Sequence, residues 1–194
     1  MRFGPLPLAE AEGAILAHSL DLGRDRLRKG TRLDRAALDL IRAAGRDSVV
    51  AARLEAGDLD EDAAAGRIGA SLGAAGLRVG PAATGRVNLH AEGPGVLEVD
   101  ADRVAAVNGI DPMITLATLR PYARVVAGAM VATVKIIAYG VAGADAERAA
   151  KAAGIHCIAV TSTLGRDLLQ EADDVVDTLE DFRDLLQGNT GTSS

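Results

Sequence analysis

Apolar positions fall into two periods along this chain. At Leu33, Ala37, Leu40, Ile41 and Ala44 they recur at helical spacing, which predicts an amphipathic helix over 33–44 with Gly45 as its stop. Before it, "GAILAHSL" (Gly13 to Leu20) is a short apolar run with strand character. The polar "DLGRDRLRKGTRL" that follows reads as a turn between two strands, with Gly30 at the position that needs a permissive φ. "DSVVAARL" is the next strand. "DLDEDAAAGRIGASLGAAG" is then a helix whose Asp58, Asp60, Glu61 and Asp62 suit the positive end of the helix dipole. A βαβα-like unit is therefore expected over 13–76.

From Gly80 to Tyr139 the texture changes, and Gly and Pro punctuate short β-rich runs: "TGRVNLHA", "GVLEVD", "MITLATL" and "ARVVAGAMVATVKIIAYG". A helix, "DADRVAAVNG", interrupts them, with Asp100 or Asp102 as its cap. This part is expected to form a small barrel or sandwich. "AGAMVATVKII" has the cadence of strand, Gly turn and strand, and its alternation sets Lys135 on the polar face. Helix and strand then alternate: helix 145–153, strand 155–161, helix 165–172, strand 174–177, helix 179–186. The expected class is α+β or α/β, divided into an α/β unit (1–79), a β-rich unit (80–141), a Rossmann-like segment (142–186) and a disordered tail (187–194).

Composition narrows the function classes. At 194 residues with 48% apolar positions the chain buries a sizeable core, and with 2% aromatics and no Trp that core is built from Ala, Val, Leu and Ile. Large aromatic ligand platforms are not expected. A net charge of −6 argues against a nucleic-acid partner, whose phosphates need a concentrated basic surface. The single Cys157 forms no internal disulfide, and no run reaches the roughly 18–20 apolar residues of a membrane span. The start "MRFGPLPLAEAEG" lacks a signal-peptide layout, so a cytoplasmic protein with no membrane partner is expected.

Candidate chemistry concentrates in two strands. If "TGRVNLHA" is a strand, Arg86, Asn88 and His90 share one face: Arg forks onto a phosphate or carboxylate, Asn pairs with a heterocycle edge, and His adds a neutral donor. Lys135, between Val134 and Ile136, neutralises a ligand phosphate or else snorkels from a barrel edge. A solvated strand face is the alternative for all four. His18, His90 and His156 form no ligand-spaced cluster, and His156 and Cys157 point to opposite sides of a strand, so no metal site is expected. Neither phosphate-loop pattern occurs, and "TSTLGRD" offers only ordinary capping residues before a helix.

Residues 1–141 resemble the N-terminal part of molybdopterin-binding proteins of molybdenum cofactor biosynthesis. "LAEAEGAILAHSL", "KGTRL", "GDLDEDAAA", "TGRVNLHAE" and "ITLATLRPYARVVAGAMVATVKII" carry the likeness, in order. The resemblance implies molybdopterin as ligand, a binding or scaffolding role, and partners among the enzymes of that pathway; Arg86, Asn88, His90 and Lys135 are then the ligand contacts. Proteins of that family continue past "VKII" into a larger α/β domain expected to hold the pterin, for which the sequence leaves no room. Instead, "AAKAAGIHCIAVTS" resembles the end of a haloacid dehalogenase superfamily hydrolase. That likeness implies a Mg²⁺-dependent phosphatase using Asp100 and Asp102. Yet Val141 and Ala142 stand where its acidic pair belongs, and Arg103-Val104 replace the residues expected after the second Asp. A helix cap accounts for Asp100 and Asp102 more simply. A non-catalytic remnant, or a homodimer formed through an edge strand, completes the set of alternatives.

Overall fold

The structure is a computed structural model, and it describes residues 1–153, 155–160 and 174–176. It begins with strand β1 (Arg2–Pro7), a 3-10 turn (Leu8–Glu10) and strands β2 (Ile15–Leu16), β3 (Leu20–Asp21) and β4 (Arg26–Leu27). Helix α1 (Arg35–Ala43) leads into β5 (Ser48–Arg53) and β6 (Asp58–Asp60), then α2 (Glu61–Ser71), β7 (Leu77–Val79), β8 (Arg86–Ala91) and β9 (Gly95–Val99). Helix α3 (Ala101–Asn108), β10 (Ile114–Thr118), β11 (Ala123–Val125), β12 (Met130–Ile136) and β13 (Gly140–Ala142) follow. Helix α4 (Gly143–Ala152), β14 (Ile155–Val160) and β15 (Asp174–Val176) close the series. Helices mixed with small, mainly antiparallel sheets make this an α+β chain.

Two apolar cores divide the work. The first packs α1 on the antiparallel sheet β1-β5-β2, burying Leu6, Leu16, Leu33, Leu38, Ile41 and Val49. Asp34 caps α1 by accepting from the Ala37 amide at 2.8 Å, so the helix starts just after the position expected from its apolar stripe. The stripe also turns: Leu38 is buried, whereas Leu40 is 40% exposed. β1 is an edge strand. The Leu8 amide donates to Asp47 O, so by alternation Pro5 and Pro7 stand where N–H groups would face away from β5, and the open edge lacks two donors.

The second core lies under the antiparallel sheet β10-β12-β8-β7. Val87 and Leu89 of β8 and Val134 and Ile136 of β12 point inward against Ile68 and Leu72 of α2. α2 comes close enough that a Cβ on Gly69 would sit 2.5 Å from Val87 Cγ1. A further sheet, β11-β9-β14-β15, joins β14 antiparallel to β9 and parallel to β15.

Several expectations need correction. The strand–helix–strand–helix order over 13–76 is present as β2, α1, β5 and α2, but β5 pairs antiparallel with both its neighbours, and α2 belongs to the second core. The polar stretch after Leu20 is not a bare turn. It holds the β3–β4 ribbon, in which Asp21 accepts from the Gly23 amide. The strands on either side of Gly128 do not form a hairpin: β12 gives its two edges to β10 and β8, so β11 pairs with β9 instead. The strands of 80–141 are shared among three sheets. The helices expected at 165–172 and 179–186 and the tail 187–194 lie outside the described residues. Among the described residues no helix is long and apolar enough to cross a membrane.

The two cores meet around Tyr139. Its ring stacks on Phe3 with centroids 6.2 Å apart, its hydroxyl donates to Ala17 O at 2.7 Å, and Lys29 Nζ lies 5.6 Å from the ring centre. The Tyr139 carbonyl accepts from the Glu61 amide, the first of α2. Half of the four Phe and Tyr residues thus sit at this junction. Ion pairs flank it: the Met1 amine is 2.7 Å from Asp58 Oδ2, and Arg32 is 3.8 Å from Asp60.

Candidate functional site

β8 and β12 bring the expected residues together. Alternation on β8 buries Val87, Leu89 and Ala91 and turns Arg86, Asn88 and His90 to the other face of the sheet. In the antiparallel register Lys135 stands opposite Arg86, Thr133 opposite Asn88 and Met130 opposite His90, with a bulge between Met130 and Ala132. Directly paired residues share a face, so all four candidates lie on one surface.

Three residues not anticipated as candidates extend it. Arg78 of β7 pairs with His90, Thr115 of β10 pairs with Lys135, and Thr133 joins Asn88. The period-2 pattern of "LRV" and "ITLAT" carried the signal, but only the register shows which strand pairs with which. Strand geometry makes the patch about 14 Å along β8 and about 14 Å across four strands. It holds three cations, Arg78, Arg86 and Lys135, in a chain whose net charge is −6.

Hydrogen bonds set what the face offers. Thr133 Oγ1 donates to Asn88 Oδ1 at 2.8 Å, which leaves both N–H donors of the Asn88 amide for something else. Lys135 Nζ donates to Thr84 O at 2.6 Å and keeps two donors. His90 Nδ1 is buried with no hydrogen-bond partner among the described residues, at a cost of about 1–3 kcal/mol.

The end of the face near Lys135 is tightly built. Thr84 and Gly85 have φ of 50° and 69° and join Ala83 to Arg86 in a two-residue turn of the type I′ kind. Asp62 Oδ1 accepts from the Gly85 amide at 2.6 Å, while Asp60 caps α2 through the Ala63 amide. A Cβ on Gly85 would lie 2.8 Å from Glu61 Oε2 and 2.9 Å from Ile136 O. Burial pushes the Glu61 carboxyl above its ordinary value; Lys135 and Lys29 pull it down, and Asp62 and Asp60 push it up.

Other candidates fall elsewhere. Asp100 is the cap of α3: Oδ1 accepts from the Arg103 amide at 3.0 Å, and Oδ2 lies 3.3 Å from Arg103 Nε. Among the described residues no group of three or more His, Cys, Asp or Glu is placed to hold a metal ion. His18 is exposed on the first unit, and the side chains of His156 and Cys157 lie outside the described residues. A hollow of about 210 Å³ beside β1, bordered by Arg2, Phe3 and Glu10, involves none of the sheet-face residues.

A family model described as a domain of unknown function (DUF8806) matches residues 5–53, the stretch that builds the first core and carries none of the face residues. No curated protein and no solved structure matches the chain. Over residues 5–53 the chain is therefore similar to a family whose function is itself open.

Proposed function

We propose that the chain binds a phosphate-bearing pterin, molybdopterin in the first instance, on the outer face of the β10-β12-β8-β7 sheet. Its role is to hold or hand on that molecule in molybdenum cofactor biosynthesis, in the cytoplasm and alongside the enzymes of that pathway.

One observation carries it: Arg86, Asn88, His90 and Lys135 converge on a single face, as a ligand with a hydrogen-bonding ring and an anionic group requires. Arg86 supplies a planar fork for phosphate oxygens. Asn88 has both amide N–H donors free, and Lys135 has two more, which suits the carbonyl and ring nitrogens of a pterin. The test is pterin binding by Lys135→Ala and Arg86→Ala. Both are expected to keep the fold and lose affinity by tenfold or more, as removal of a charge-assisted hydrogen bond of about 1.5–3 kcal/mol would do. Unchanged binding in both removes the sheet face as the site.

A further inference from the structure

We propose that a second copy of the chain closes over this sheet face when the ligand binds, so that the ligand lies between two sheets and each copy supplies half of the site. This rests on the pterin reading above and names what covers the ligand. A molecule laid on one open sheet face keeps its other side in water, whereas small-molecule sites bury about 70–90% of their ligand.

The outline of the face fits such a cover. Pairing continues past the end of β10, where the Ile137 amide donates to Met113 O, so by alternation Met113 and Ile137 stand on the same side as Thr115 and Lys135. Ile137 is 57% exposed, and at the opposite end Met130, paired with His90, is 52% exposed. An antiparallel sheet that simply faces water turns polar residues outward; apolar side chains at both ends mark a surface that meets another protein. Between them the row across the strands is short: Ala117 pairs with Thr133, Thr133 with Asn88, and the Gly80 amide donates to Asn88 O. Longer side chains border that row, Lys135 and Arg86 on one side and His90 and Arg78 on the other. Two copies placed face to face therefore enclose a slot for a flat ring, with cations on both sides of it.

Charge and area make the closure depend on the ligand. Arg78, Arg86 and Lys135 have no ion pair among the described residues, and Glu92, one step past the end of β8, offsets one of the three. Two bare faces thus bring like charges together and repel, and a phosphate held between them removes the repulsion. The flat footprint, about 14 Å across the strands by about 20 Å along β12, is on the order of 300 Å². A standard stable interface takes about 800 Å² from each partner, so apolar contact alone does not hold the two copies together.

The experiment is sedimentation velocity of the full chain with and without a pterin monophosphate, with binding followed separately by pterin fluorescence. The chain alone is expected to be a monomer, and saturating ligand to tighten dimerisation by tenfold or more. Ile137→Lys, an exposed position outside the ligand contacts, sets further cations against each other across the seam and is expected to bind the ligand yet remain a monomer. A wild-type chain that binds the pterin and stays a monomer would overturn the proposal and leave the pterin reading standing. Dimerisation equally strong without ligand, or undiminished in Ile137→Lys, would do the same. Absence of binding would overturn both.

Discussion

Lys135 and Arg86 are paired neighbours on an open sheet face, so their contribution to ligand capture is electrostatic and partly screened. Affinity for a phosphorylated pterin is expected to fall as salt is raised from about 0.05 to 0.5 M, and the fall to be shallower in Arg86→Ala, read by titration at each salt concentration. Glu61 gives a prediction of opposite character for the fold. Burial, the largest cause, raises its folded pKa above the ordinary 4.5, with Lys135, Asp62, Lys29 and Asp60 modifying the result. A carboxyl that holds its proton more tightly when folded contributes most while protonated. That contribution declines as pH rises through 4.5 and levels off above the folded pKa. Glu61→Gln is therefore expected to raise stability at pH 7 and to flatten this part of the pH profile, measured by urea unfolding between pH 4 and 7.

At the scale of elements, two positions show how closely the second core is built. Gly69→Ala would drive a Cβ into the stiff Val87 side chain. The overpacking, about 1–3 kcal/mol, offsets or exceeds the roughly 1 kcal/mol that Ala contributes to helix propensity, so a net loss of up to about 2 kcal/mol is expected in denaturant unfolding. Thr84, a β-branched residue at φ 50°, is strained in its turn, and Thr84→Asn is expected to raise the unfolding midpoint because Asn-Gly suits a type I′ turn. Helix α1 was legible from its apolar period and α2 from the acids at its start, while strands β5, β8 and β12 were legible from apolar runs or alternation. Pairing was not legible. Nothing local in "AGAMVATVKII" says that β12 is saturated by β8 and β10, and so β11 goes to β9. The same limit shaped the site. Arg86, Asn88 and His90 follow from alternation alone, whereas Arg78 and Thr115 join them through register. Asp100 illustrates the reverse, an acid whose capping role was readable from its place before a helix and is realised at 3.0 Å.

For the molecule as a whole, Tyr139 is the joint between the two cores. Tyr139→Phe removes one part-buried hydrogen bond to Ala17 O and is expected to cost about 1 kcal/mol. Tyr139→Ala also removes the Phe3 stack and the Lys29 contact; it is expected to loosen the first unit, seen as faster amide exchange in residues 13–17 than in α2. Because Glu61 and the rim of the sheet face border this joint, ligand binding is expected to slow exchange on both sides of it. The most direct test of the binding face is native mass spectrometry with pterin fluorescence, on protein purified from a host that makes molybdopterin. The expected result is a pterin-sized adduct on the wild-type chain that disappears in Lys135→Ala and Arg86→Ala while their unfolding midpoints hold. A bare wild-type mass that persists after incubation with added molybdopterin, or an adduct indifferent to both substitutions, would contradict the assignment of this face as a pterin site.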